Sequence, residues 1–453
     1  MKIRRIIPIL TVVLLVSHCV KLSPLAPLAQ DSTPQFGAGD TTYILVSPVW
    51  DHTYGFEAPV EISIARDGHV FVADTGAQSI WVLDQSGVLQ PGFEALTGIT
   101  TFDGDHPTPI DVDVDSKMNV LFIDGSNRVY DWNQIWNSTG LEAYAESGDF
   151  VEDNTGNTIH AAAGTPEWFE LANTPGWSLE NVQWSSASSV LDSLLAVHVL
   201  FDGNSLTNQL ADLYYSSTAS RFSALSTTEN NDNYFFVTDE AQDRIIRIKM
   251  EHALWVRTPD GDEFWTHRGV FNGTVAQYGT GSGTVNQPVG LDVDYSGSIY
   301  YSQLGEYFSV HKIKPVTTGG YTVYSSVFQP GINPIMDLGR FDHPLDVAVD
   351  RNQMIYVANT GAREIQVFDY QGKLFKKAGV EKVVVDTTLW VSVGTDSVLV
   401  DTFVTHEVAG FLESPSALTV DDQGVIYVCD PPTSRIVRYQ LSNTLDENIV
   451  SNP

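Results

Sequence analysis

Two cysteines stand in the 453 residues, Cys19 and Cys429. A disulfide framework is excluded, and if Cys19 is processed away or lipidated, Cys429 has no partner for any internal bridge. Basic residues are scarce: 24 Lys plus Arg face 56 Asp plus Glu, a formal charge of −32. Nucleic acid and anionic membrane surfaces both reward clustered positive charge, so neither is an expected partner. High solubility, attraction of cations and a saline habitat all fit such acidity. The local motifs of common chemistries are missing as well. There is no G-x-S-x-G elbow, no Walker A loop and no Cys-x-x-Cys pair. Helix signals are almost absent.

What is present suits strands and turns. The chain is 43% hydrophobic and 11% aromatic, with 35 Gly and 21 Pro, and it is long enough to bury a large core. Pro59 to Asp84 reads PVEISIARDGHVFVADTGAQSIWVLD, and variants of it return along the chain. It predicts three short strands, Val60 to Ala65, His69 to Asp74 and Ser79 to Asp84, joined by Asp67-Gly68 and Thr75-Gly76 turns. Such turns suit tight hairpins, because Gly reaches positive φ without a Cβ clash. Further copies run over Pro109 to Trp132, Phe222 to Lys249, Pro288 to Ile313, Pro344 to Asp369 and Pro415 to Leu441. Each alternates apolar and polar residues with the period of a half-buried strand. Recurrence at tens of residues marks a repeat architecture.

One three-strand unit cannot bury its apolar face alone, and an open row of units leaves unpaired edges. Radial closure solves both problems. The expected fold is all-β, a six-bladed β-propeller of four-stranded antiparallel blades. Seven blades follow instead if Leu194 to Tyr215 forms a degenerate unit in the long gap between Asp124 and Asp239. Each fourth strand must come from the segment linking one copy to the next, and Val275 to Gly279 fits that role. The last copy has no such segment, while the strand-like Thr42 to Trp50 (TYILVSPVW) has no blade. That N-terminal strand is predicted to close the ring. Val383 to Val408 reads as an extended outer hairpin of the fifth blade. The chain divides into a signal peptide and tether (1–29) and the propeller (36–453), with an insertion at about 137–221.

The pattern P-x-x-[VIL]-x-[VI]-D, followed by a V-A-D-T-G-like strand end and a final apolar strand, resembles the NHL-repeat family. The resemblance covers residues 58–442 apart from the insertions. It implies architecture more than chemistry, because that family spans binding scaffolds, a zinc-dependent lyase and relatives of metal-dependent lactonases.

Two sets of acids stand out. Asp74, Asp124, Asp239 and Asp430 end the second strand of four copies, with Asn359 and Ser302 as departures. Asp and Asn accept backbone N–H groups in turns, so these residues are expected to be structural pins. Arg244 and Arg435 lie five residues beyond Asp239 and Asp430, and Arg128 four beyond Asp124. The second set varies between copies. Two residues after each opening Pro stand Glu61, Asp111, Gly290, Asp346 and Ala417, with Ala224 as the equivalent in the third copy. In a propeller these positions approach the central axis, so Glu61, Asp111 and Asp346 are candidate ligands for a divalent cation such as Ca²⁺.

Other readings are weaker. The zinc lyase of the NHL group carries metal-binding histidines near the starts of its blades. Here only His106 and His343 stand near an opening Pro, and a catalytic zinc usually needs three protein ligands. Lactonase relatives use a Glu, Asn and Asp set around a metal. Glu61 matches the first-blade Glu, but no Asn-Gly follows at later blade starts. Cys429, in the apolar VIYVCD strand, reads as a small core residue. In the insertion, Trp168, Trp177, Trp184 and Tyr214-Tyr215 either pack it onto the blades or form a platform for a sugar or a partner.

Met1 to Val16 has a basic start and an apolar run too short to span a membrane, as a secretory signal does. Val16-Ser17-His18-Cys19 resembles a bacterial lipoprotein box with Cys19 as the lipidated residue, although His18 replaces the usual small residue. Cleavage after Ala29 is the other course. The sequence therefore points to an exported binding or scaffolding module at the cell envelope, with an unidentified protein or glycan ligand and membrane attachment only through a lipid anchor. The alternative is a metal-dependent hydrolase or lyase, lactonase-like, acting at the channel mouth.

Overall fold

A computed structural model describes residues 42–90, 95–99, 106–132, 161–162, 182–183, 197–203, 219–228, 230, 233–257, 263–380, 382–393, 396–407 and 410–442. The expectations for Cys19, the signal segment and the insertion's aromatic residues lie outside this set.

The period-two segments form six antiparallel sheets of four strands. Blade 1 holds β2 (Pro59–Ile64), β3 (Val70–Asp74), β4 (Ser79–Leu83) and β5 (Ala95–Leu96). Blade 2 holds β6 (Asp111–Val114), β7 (Val120–Ile123), β8 (Arg128–Trp132) and β11 (Val197–Asp202), with the short parallel pair β9 (Ala161–Ala162) and β10 (Val182–Gln183) between the last two in sequence. Blade 3 comprises β12 (Phe222–Thr227), β13 (Tyr234–Asp239), β14 (Arg244–Arg257) and β15 (Glu263–Ala276). Blade 4 comprises β16 (Pro288–Val293), β17 (Ile299–Gln303), β18 (Val310–Thr318) and β19 (Tyr321–Ser326). Blade 5 is β20 (Pro344–Val349), β21 (Ile355–Asn359), β22 (Glu364–Phe368) and β23 (Leu374–Ala378). After it comes a separate hairpin, β24 (Lys382–Val393) and β25 (Asp396–Glu407). Blade 6 takes β26 (Ala417–Val420), β27 (Ile426–Asp430) and β28 (Arg435–Ser442), and its outer strand is β1 (Thr42–Trp50).

The innermost strands touch in a closed cycle, β2 to β6, β12, β16, β20, β26 and back to β2. Each junction between blades has its own apolar layer. Phe71, Ile80, Phe122 and Trp132 pack between blades 1 and 2, and Tyr356, Ile365, Val428 and Tyr439 between blades 5 and 6. Cys429 is fully buried in the layer between blades 6 and 1. Burial in that layer pushes its thiol well up, as suits a packing residue.

The ring closes as the sequence predicts. β1 pairs with β28 from Thr42↔Ser442 to Val46↔Arg438 and again at Trp50↔Ile436. Trp50 is fully buried, 5.6 Å from the ring of Tyr427, with the Arg438 guanidinium 4.6 Å from its centroid.

One open alternative is decided, and three details depart from the sequence reading. Blade 2 takes β11, inside Leu194–Tyr215, as its outer strand, which leaves six blades. Blade 3's outer strand is the long β15, which ends at Ala276. Beyond it, Tyr278 makes only an isolated bridge to Val285. The hairpin expected over 383–408 forms, but blade 5 already has its fourth strand in β23, so the hairpin stands apart. In the fourth copy the residue equivalent to Asp74 is Gln303 rather than Ser302: Gln303 stands opposite Pro288 as Asp74 stands opposite Pro59.

Candidate functional site

Each innermost strand pairs along one edge with the second strand of its blade, leaving the other edge toward the next blade and the axis. Backbone N–H groups on that free edge need acceptors. Short acidic side chains on the preceding blade supply them. Asp111 Oδ2 accepts the Leu225 N–H at 2.7 Å, from blade 2 to blade 3, and Asp346 Oδ2 accepts the Leu418 N–H at 2.8 Å, from blade 5 to blade 6. Asp292 Oδ2 accepts the Val349 N–H at 2.7 Å, from blade 4 to blade 5. Asp113 ties three blades. Its Oδ1 accepts the Ser63 hydroxyl of blade 1 at 2.6 Å and its own strand's Val114 N–H at 2.8 Å. Its Oδ2 accepts the Thr227 N–H and hydroxyl of blade 3 at 2.7 and 3.0 Å.

The structure thus brings Glu61, Asp111 and Asp346 to one cavity on the axis, and adds Asp113 and Asp292. Glu61 is one methylene longer, and its Oε1 turns back to the Ile62 N–H at 3.1 Å. The space between these side chains is about 60 Å³. That holds a few waters, against the several hundred Å³ of an ordinary small-molecule site. Among the described residues, no three His, Cys, Asp or Glu side chains stand together in a metal-ligating group.

Burial raises the pKa of all five carboxyls. For Glu61 the neighbouring Asp346 and Asp111 charges add to burial, and for Asp292 those of Asp113 and Asp346 do. Asp346 reaches about 7, chiefly through burial, against the N–H groups of Leu418 and Val347 that pull it down. An acid with a raised folded-state pKa contributes stability below its unfolded value, near 3.8, and loses it as pH rises through about 7. Asp346→Asn keeps an oxygen for the Leu418 N–H and removes the charge. This variant is expected to melt at a higher temperature than the parent at pH 8, by up to about 4 kcal/mol of added stability. The difference should shrink toward pH 4. Thermal melts across that pH range check it, and parallel curves for the two proteins contradict it.

The second-strand residues act above the channel, where each connection enters its blade. Asp74 accepts the Glu57 and Ala58 N–H groups, both at 2.8 Å, and those of Gly76 and Ala77 in its own turn, both at 3.0 Å. Asp430 accepts the Ser414 N–H at 2.8 Å and pairs with Arg435, also at 2.8 Å. Asp239 accepts the Arg221 N–H at 3.1 Å and pairs with Arg244 at 2.9 Å. Asn359 Oδ1 accepts the Asp342 N–H at 2.7 Å. Asp124 works locally, taking the Ser126 N–H at 3.0 Å and the Tyr130 hydroxyl at 3.0 Å, while Arg128 pairs with Asp202 of the outer strand at 3.4 Å. His106 and His343 stay off the cavity wall. His106 meets the Ile99 carbonyl at 3.3 Å, and the exposed His343 pairs with Asp342 at 2.7 Å.

Sequence reasoning missed Asp113 and Asp292, although the signal was present. They stand two residues beyond the varying position, and residues i and i+2 of a strand share a face. The Asp that closes the first-strand pattern in four copies was read as part of the repeat but given no role. Asp115, Asp294, Asp350 and Asp421 each accept the N–H groups two and four residues on, at 2.8–2.9 Å, and so shape the turn into the second strand.

No family model and no curated protein matches this chain. It is similar to solved structures at low identity. A streptogramin B lyase is 13% identical with a TM-score of 0.43, covering 90% of this chain and 100% of the lyase. A gluconolactonase from Xanthomonas campestris is 11% identical with a TM-score of 0.42, covering 89% and 91%. An auxiliary nutrient binding protein from Bacteroides thetaiotaomicron is 8% identical with a TM-score of 0.42, covering 85% and 69%. The chain's own strand order makes it a six-bladed β-propeller, closed by its N-terminal strand around an acidic channel.

Proposed function

We propose that the chain is an exported binding or scaffolding module of the cell envelope, built from NHL-type repeats, and that its partner is a protein or glycan met outside the channel. The observation that supports this reading is the state of the channel acids. Four of them are engaged with a neighbouring blade, around a space of about 60 Å³ that is small beside an ordinary small-molecule site. The hairpin β24–β25, which belongs to no blade, is the surface proposed for the partner. The basic and apolar start, Met1 to Val16, supports export, with Cys19 as lipid anchor or Gln30 as the mature start.

The competing reading is a divalent cation on Glu61, Asp111 and Asp346 serving a lactonase-like hydrolysis. One pair of experiments decides. In the first, the protein is titrated with Ca²⁺ and Zn²⁺ and assayed on lactones and esters. No saturable binding and no turnover are expected. Stoichiometric metal with turnover, both lost in Asp346→Asn, overturns the reading. In the second, residues 382–407 are replaced by a short Gly-Ser linker. Retention on immobilised envelope extract is expected to fall while the melting temperature holds. Unchanged retention counts against the hairpin as the binding surface.

A further inference from the structure

We propose that residues 277–287, the crossover from blade 3 to blade 4, form an acid-released latch held shut by the neutral His311 imidazole. The inference is independent of the binding reading above and concerns a segment outside the channel. Crossovers into blades 1, 5 and 6 are fastened at the end of the second strand, by Asp74, Asn359 and Asp430. Blade 4 has Gln303 at that position, and its Oε1 accepts the Asn286 N–H at 2.9 Å. Two more side chains of blade 4 reach the same segment. The Tyr301 hydroxyl donates to the Thr284 carbonyl at 2.9 Å, and His311 Nδ1 accepts the Gly283 N–H at 3.0 Å.

His311 is 1% exposed, and its ring stacks on Tyr301 with centroids 4.9 Å apart. Its Nε2 donates to the Phe308 carbonyl at 3.0 Å. A neutral imidazole has one donor and one acceptor nitrogen, and here both are in use. An imidazolium donates from both, so a proton on Nδ1 would set two donors against each other at Gly283. The layer that Tyr301 shares with blade 3 is apolar, formed there by Ala224, Phe236, Ile245 and Ala276. The charged and titratable groups nearby are engaged elsewhere or exposed. Lys312, next on β18, turns to Asp294 and the Tyr300 ring, while Arg247 of blade 3 lies over the Tyr234 ring. Asp243 of blade 3 accepts the Gln287 N–H at 2.7 Å, and Tyr278, Glu306 and Tyr307 are exposed. Burial brings the His311 pKa down to about 4, against the pull of the Phe308 hydrogen bond. A base with a lowered folded-state pKa holds its segment fully above its unfolded value, near 6.5, and progressively less as pH falls toward 4. Opening of the crossover should therefore increase on the order of 100-fold between about pH 7 and about pH 4. Blades 1, 5 and 6 carry Trp81, Gln366 and Val437 at the register position of His311, and none of these titrates.

Amide hydrogen exchange of the full chain across that pH range, corrected for the intrinsic exchange rate and read by mass spectrometry, tests the proposal. Protection of 277–287 should fall on the order of 100-fold. Protection of 327–343, where the Asp342 N–H is held by the non-titrating Asn359, should stay level. Asp346 in the channel stabilises the fold over the same interval, so it does not supply the loss. His311→Gln keeps an acceptor and a donor without titrating, and should remove the pH dependence. Constant protection of 277–287 in the parent overturns the proposal whatever the variant does. A fall of equal size in 327–343, or in His311→Gln, overturns it as well.

Discussion

A chain lacking residues 36–50 is expected to lose cooperative folding altogether. Residues 42–50 of that segment supply the fourth strand of blade 6, and nothing C-terminal to β28 replaces it among the described residues. Their removal acts at three levels. It strips the pairing of β28 from Ile436 to Ser442 and exposes that edge to water. It removes Tyr43 from the layer between blades 5 and 6, and Trp50 from the layer between blades 6 and 1. Losing a buried Trp alone typically costs about 3–5 kcal/mol. It also takes from Arg438 both the Pro48 carbonyl, to which it donates at 2.9 Å, and the Trp50 ring beside it. The sum reaches the whole stability of an ordinary domain, about 5–15 kcal/mol. Calorimetry should show no single transition in the truncated chain, and a parent-like melt contradicts ring closure by this strand.

The second large effect is expected at Asp113, which was not among the candidate ligands read from the sequence. Its two oxygens accept four hydrogen bonds, from blades 1, 2 and 3. Asp113→Ala leaves the Ser63 hydroxyl and the Thr227 N–H without their acceptor, while the Thr227 hydroxyl keeps the Val114 carbonyl at 3.2 Å. Buried donors left unpaired cost about 1–3 kcal/mol each, so a loss of about 3–5 kcal/mol is expected. The desolvation that raises the Asp113 pKa works against this, since removing the carboxyl also relieves a buried charge. The hydrogen bonds win because two of them are made to backbone N–H groups of strand edges, Val114 and Thr227, and of the two hydroxyl donors only Thr227 has a second acceptor, the Val114 carbonyl at 3.2 Å. Asp113→Asn, which keeps one acceptor oxygen, should lose less than the Ala variant.

Much of this architecture was legible in the chain, and the reasons are local. Asp67-Gly68 and Thr75-Gly76 mark turns by their own chemistry, and strand alternation shows within a few residues. Ring closure followed from arithmetic, a spare strand at one end and a missing strand at the other. The acids at 61, 111 and 346 were also visible as variation at one repeat position. What they bond to was not visible. The acceptor role of Asp111 depends on an N–H at Leu225, and that of Asp346 on one at Leu418, far away in sequence and adjacent only once the ring closes. The slip between Ser302 and Gln303 was different in kind, because Gln303 follows Pro288 at the same spacing as Asp74 follows Pro59 and was legible in the chain.

The central claim is that the channel acids hold neighbouring blades together. The most direct test is a double-mutant cycle between Ser63→Ala and Asp113→Ala, read by urea unfolding. The two residues belong to different blades and meet at 2.6 Å through a single hydrogen bond. The account predicts a coupling energy of about 1–3 kcal/mol, within the range for residues in one network. Additive losses, with no coupling between the two sites, would contradict it.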